Sequence, residues 1–109
     1  MCQFQKLYND ENGYVVRCNK CSYYQVLFAG TMLSINREEF EKFQLQISNQ
    51  KQQDDPVDQQ VKNMVLPTTR PGVHLVLSPG ELNQLKQMME YAETEIKTLA
   101  LLDLFREYR

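Results

Sequence analysis

Three cysteines stand in two short stretches, Cys2 in MCQFQ and Cys18 and Cys21 in RCNKC. Two thiolates at the C-x-x-C spacing in a tight turn can hold one tetrahedral zinc, with backbone amides turned towards the sulfurs. Cys2 is the third sulfur. For the fourth ligand the candidates are His74, the sole histidine, the amine of Cys2 freed by removal of Met1, a carboxylate, or water. A zinc ribbon carries two such knuckles and this chain carries one, so two other readings stay open. One is inert, half-buried thiols. The other is a redox dithiol, although a thioredoxin-like pair opens a helix in a βαβ unit, whereas here the flanks YVVR and YYQVLF read as strands. His74 lies in VHLVL, sharing a strand face with Val76, and a hydrogen-bonded structural histidine is the alternative to ligation there.

The elements that would position these side chains follow from pattern. Residues 3–8 read as a strand of imperfect alternation, with Phe4, Lys6 and Tyr8 on one side. NDENG at 9–13 is turn chemistry, with Gly13 expected to supply a positive φ. Residues 14–17, 23–28 and 31–35 are rich in β-branched and aromatic residues and complete an antiparallel meander. If Tyr8 lies roughly opposite Tyr14, the first hairpin carries Cys2 back to the level of residues 19–21. Three sulfurs then cluster without help from the rest of the fold.

A helix follows. Asn36 is its N-cap, Glu39 closes a capping box, and Phe40, Phe43 and Ile47 form its apolar stripe. Residues 49–58 read as a polar connector that ends the helix before Pro56. Residues 61–66 and 73–77 are strands about the turn PTTRPG. Ser78, Pro79 and Glu81 then start a second helix. LSINREEFEKF and LVLSPGELNQL align cap for cap, a strand–cap–helix unit written twice, whether by duplication or because any strand entering an amphipathic helix looks like this.

Along the second helix Leu82, Leu85, Met89, Ala92, Ile96 and Leu99 recur at alternating spacings of three and four, an a/d seam. Met88, Leu101, Leu102, Leu104 and Phe105 widen the apolar surface. From Pro79 to about Arg106 such a helix is roughly 40 Å long, well beyond the ~13 Å radius of gyration of a domain this size. The overhang predicts a homo-oligomer through Leu82, Leu85, Met89, Ile96, Leu101 and Phe105, unless the helix breaks near Thr98 and its tail folds back.

Bulk composition narrows the classes. The chain has 109 residues and a formal net charge of −2, which fits one domain spanning 1–109. It offers no electrostatic footprint for nucleic acid; Lys6, Arg17 and Lys20 are too few to make Tyr14, Tyr23, Tyr24 and Phe28 a base-stacking platform. No secretion signal or bilayer-spanning run is visible, so a cytoplasmic protein is expected, a compartment where close cysteines mean metal or redox chemistry. No nucleophile–base pattern or phosphate loop points to an enzyme.

With these residues assembled, the chain resembles a family of small, uncharacterised bacterial proteins of about 110 residues. The resemblance rests on the early Cys2, on Cys18 and Cys21 followed by Gln25 and Phe28, on the capped helix at 36–43, and on LSPGEL at 77–82. It implies a single domain and no assigned activity.

The expected fold is α+β: an antiparallel sheet made of an N-terminal meander and a C-terminal hairpin, with two helices on one side. The expected function is a structural zinc site at Cys2, Cys18, Cys21 and His74 in a protein that acts through protein interaction. The alternatives are a metal-free oligomeric adaptor and a thiol redox sensor.

Overall fold

The computed structural model describes residues 3–50 and 64–107. Cys2, most of the connector and the expected strand positions 61–63 lie outside the described residues. Four strands, β1 (Phe4–Asp10), β2 (Gly13–Cys18), β3 (Tyr24–Phe28) and β4 (Thr31–Ile35), form an antiparallel meander in sequential order. Helix α1 (Arg37–Ser48) follows, then β5 (Met64–Pro67), β6 (His74–Leu77) and helix α2 (Pro79–Glu107).

Alternation of apolar residues sets the buried face of the meander. Val15, Tyr24, Val26, Phe28, Leu33 and Ile35 all point into the core, as period two requires for a sheet covered on one side. The first strand departs from this rule for a definable reason. Lys6 pairs with Val16, yet Tyr8 pairs with Val15, so Leu7 is an extra residue in β1. Leu7 faces the core at 5% exposure, as alternation from the exposed Lys6 already requires, and the extra residue leaves the following Tyr8 packed at the core edge as well, while Phe4 stays 51% exposed. The bulge also moves the register by one: Asn9, rather than Tyr8, sits opposite Tyr14.

The first turn closes differently from expectation as well. Asp10 Oδ1 accepts hydrogen bonds from the amides of Asn12 (2.7 Å) and Gly13 (3.1 Å), an Asx-type turn. The glycines with positive φ are Gly30 and Gly72, not Gly13. Gly13 is needed for space, because a Cβ there would collide with the carbonyl oxygen of Leu27 on β3. Ala29 and Gly30, both at positive φ, make the two-residue turn between β3 and β4.

Both helix starts carry reciprocal capping boxes. Asn36 Oδ1 accepts from the Glu39 amide at 2.8 Å while Glu39 Oε1 accepts from the Asn36 amide. Ser78 Oγ accepts from the Glu81 amide at 3.1 Å, and Glu81 Oε1 accepts from the Ser78 amide. The strand–cap–helix unit therefore does occur twice, though α1 has 12 residues and α2 has 29.

The β5–β6 hairpin makes its own two-stranded sheet and does not extend the meander. It joins the core through side chains, with Leu66, Leu75 and Leu77 buried in one cluster with Leu82, Leu85 and Met89 of α2. Polar contacts fix its outer end: the Arg70 guanidinium donates to the Ser34 carbonyl (3.0 Å) and lies 3.6 Å from Glu39. Gln46 Nε2 donates to the Pro67 carbonyl at 2.6 Å.

Helix α2 is the element that meets every other layer, packing on β1, β2, β6 and α1. Its core side carries Leu82, Leu85, Met88, Met89 and Ala92, each 1% exposed or less. Tyr91 stacks on Tyr8 with ring centroids 5.6 Å apart. Burial fades at Ile96 and Leu99, which pack at the edge of the core, and residues 100–106 are all exposed. The helix continues through Thr98 as one span. A molecule of 55 × 27 × 24 Å results, with a radius of gyration of 15.3 Å.

Candidate functional site

The C-x-x-C stretch forms the loop between β2 and β3. Cys18 is the last residue of β2 and pairs with Phe4 of β1. Its amide donates to the Tyr23 carbonyl at 2.8 Å, and its carbonyl accepts from the Ser22 amide at 3.0 Å. Residues 19–21 turn, and Ser22 closes the turn in the left-handed region at φ 62°. The Asn19 amide donates to the Gln3 carbonyl at 2.9 Å, which carries the N-terminal strand to the loop itself.

The two loop cysteines sit in different surroundings: Cys18 is fully buried and Cys21 is exposed. Beside them is a cavity of about 210 Å³ lined by Arg17, Cys18, Asn19, Ser22, Tyr24 and Arg37. Arg17 is held by a hydrogen bond to Gln5 Oε1 (3.0 Å) and Arg37 by an ion pair with Glu41 (3.2 Å). The neighbouring groove between α1 and α2, about 460 Å³, shares Tyr24 and Arg37 with this cavity. There the side chain of Gln44 donates to Glu93 at 2.9 Å, while its own Oε1 is buried without a hydrogen-bond partner.

His74 is placed elsewhere. It pairs with Pro67 on the separate hairpin and is exposed. Among the described residues no three His, Cys, Asp or Glu side chains form a group that could hold a metal, so Cys18, Cys21 and His74 do not make one by themselves. Cys2 lies outside the described residues.

The helix residues expected to mediate association divide into two sets. Leu82, Leu85 and Met89 are buried within the chain, and Ile96 packs at the core edge. Leu101 (57% exposed) and Phe105 (70%) remain on the surface with Leu102 and Leu104. Two features went unread in the sequence: the arginines beside the loop, which only the tertiary fold brings to one cavity, and the outward face of α2, whose spacing is masked by the stronger inner stripe.

One electrostatic feature lies on β1. The Tyr8 hydroxyl donates to Asp10 Oδ2 at 2.5 Å. That bond holds the Asp10 carboxyl below its ordinary value, with the Asn12 and Gly13 amides adding to the effect, and the same bond raises the Tyr8 phenol.

The fold and site define a small α+β protein: a capped meander, a docked hairpin and a long helix that outruns its own core. The chain matches a family of unknown function, DUF6686, over residues 1–108, and it belongs to that family. No curated protein and no solved structure matches it. Among the described residues no helix is long and apolar enough to cross a membrane.

Proposed function

We propose that this protein works by association, with the C-terminal end of α2 as its contact surface, and that Cys2, Cys18 and Cys21 hold one structural zinc that ties the N-terminus to the first hairpin. The observation that carries the association reading is the run of exposed helix beyond Leu99, on which Leu101, Leu102, Leu104 and Phe105 are 48–70% exposed. A contiguous apolar patch of this kind marks an interaction site on a protein surface. The partner expected first is another copy of the chain. Sedimentation velocity over a range of concentrations tests this. The sedimentation coefficient is expected to rise with concentration, and Leu101→Asp with Phe105→Asp to hold the protein monomeric. A concentration-independent monomer would sink self-association.

The zinc reading draws on the loop geometry. The Gln3–Asn19 bond ends one residue from Cys2 in sequence, and the left-handed Ser22 closes the turn that carries Cys18 and Cys21. Zinc would replace part of the core that a domain this small lacks, in a reducing cytoplasm where thiolates stay available. Protein purified without chelator or added metal is expected to contain about one zinc per chain by elemental analysis. Cys21→Ser separates ligation from packing, because Cys21 is exposed. A ligand there loses both zinc and melting temperature when replaced; an inert surface thiol loses neither.

A further inference from the structure

We propose that the end of α2 pairs with the same segment of a second copy in antiparallel orientation, centred between Leu99 and Ala100. This rests on the reading of that end as a contact surface and adds the partner's direction and register.

A second seam runs along the outer face of α2. Tyr91, Thr94, Thr98, Leu101 and Phe105 are spaced three, four, three and four, and all five are exposed. At 100° per residue this seam is centred roughly 170° from the inner one. Within the chain Tyr91 is engaged by its stack on Tyr8, so the stretch of this seam open to a partner begins at Thr94. None of the five is charged, and their spacing is that of positions a and d in a two-helix coil, with Leu101 and Phe105 supplying its strongest apolar knobs.

The flanking residues choose the direction. On one side lie Glu90, Lys97 and Leu104, on the other Glu95 and Leu102. Two parallel helices in register would set Glu90 of each copy beside Glu95 of the other, two like-charge contacts that disfavour the arrangement. In the antiparallel pair, Thr98 faces Leu101 of the second copy and Thr94 faces Phe105. Glu95 then flanks Leu102, and Lys97 flanks Leu104, so aliphatic stems lie over leucines and no like charges meet. The overhanging leucines of each copy are covered by the other, and the two cores fall at opposite ends. Together the copies would bury on the order of 1,000 Å², the low end for a specific interface, so the dimer is expected to be weak and concentration-dependent.

Position 102 reads the direction. It lies beside Glu95 of the second copy if the pair is antiparallel and beside Lys97 if it is parallel. Leu102→Lys and Leu102→Glu remove the same leucine, so their difference reports the neighbour. Dimer dissociation constants from sedimentation at low salt are expected to be about ten-fold tighter for Leu102→Lys, since the contact occurs twice. The gap should shrink in high salt, and Glu95→Lys added to Leu102→Glu should restore pairing. Tighter pairing by Leu102→Glu, or equal pairing by both, would overturn the antiparallel register while leaving association intact. A wild-type chain that stays monomeric at every concentration would remove the register and the reading beneath it together.

Discussion

At the scale of single residues, Asp10 shows how one short hydrogen bond becomes a pH effect. Its carboxyl sits below the ordinary value chiefly because the Tyr8 hydroxyl donates to it. Folding therefore favours the ionised form. The stability this contributes is present above the ordinary carboxylate range and is lost as the pH falls through the depressed value. Asp10 is exposed and Tyr8 only partly buried, so solvent screens the effect. Tyr8→Phe removes the largest cause, and the Asp10 titration followed by NMR is expected to move up towards the ordinary range. The Asn12 and Gly13 amides should keep it from arriving there fully. A titration midpoint that stayed in place would show that the backbone amides alone set it. The cysteines teach a related lesson. Their spacing was legible from residue types, but the contrast between buried Cys18 and exposed Cys21 was not, because burial depends on what packs over the loop.

At the scale of elements, local chemistry was the most legible part of the chain. Both capping boxes form as the side chains dictate, since an N-cap oxygen and an acid three residues on satisfy amides that the helix leaves open. The meander follows from alternation and turn residues. Its one irregularity, the Leu7 bulge, explains why the first strand alternates poorly and why the pairing moved by one residue. Gly13 shows where local reasoning failed. A glycine in a turn suggests a positive φ, yet this one is required by a neighbouring strand that only the fold brings close. Gly13→Ala is expected to destabilise the protein by about 1–3 kcal/mol, as overpacking against an unyielding backbone does. Chemical denaturation measures this, and a change within ~0.5 kcal/mol would show that β3 can give way.

For the whole molecule, α2 combines two roles along one span. Its first half completes the core, and its last turns bury nothing within the chain. Substitutions should divide accordingly. Met89→Ala removes a fully buried side chain and is expected to lower stability by about 2–5 kcal/mol. Phe105→Asp is expected to leave monomer stability within about 0.5 kcal/mol, measured by thermal or denaturant unfolding at concentrations where the chain is monomeric. A large loss from Phe105→Asp would mean that the overhang packs on its own core in solution.

The sequence by itself determined the order of elements, their caps, the apolar stripes that face the core and the α+β class, because these depend on contacts within a few residues. Tertiary structure alone decided that the second hairpin packs through its side chains instead of joining the meander, that Arg17 and Arg37 border the Cys18 cavity, and that His74 stands on a separate hairpin. It also decided where the core ends along α2. A helical stripe looks the same whether it will be covered by its own chain or by another, and only the reach of the surrounding elements separates the buried Met89 from the exposed Phe105.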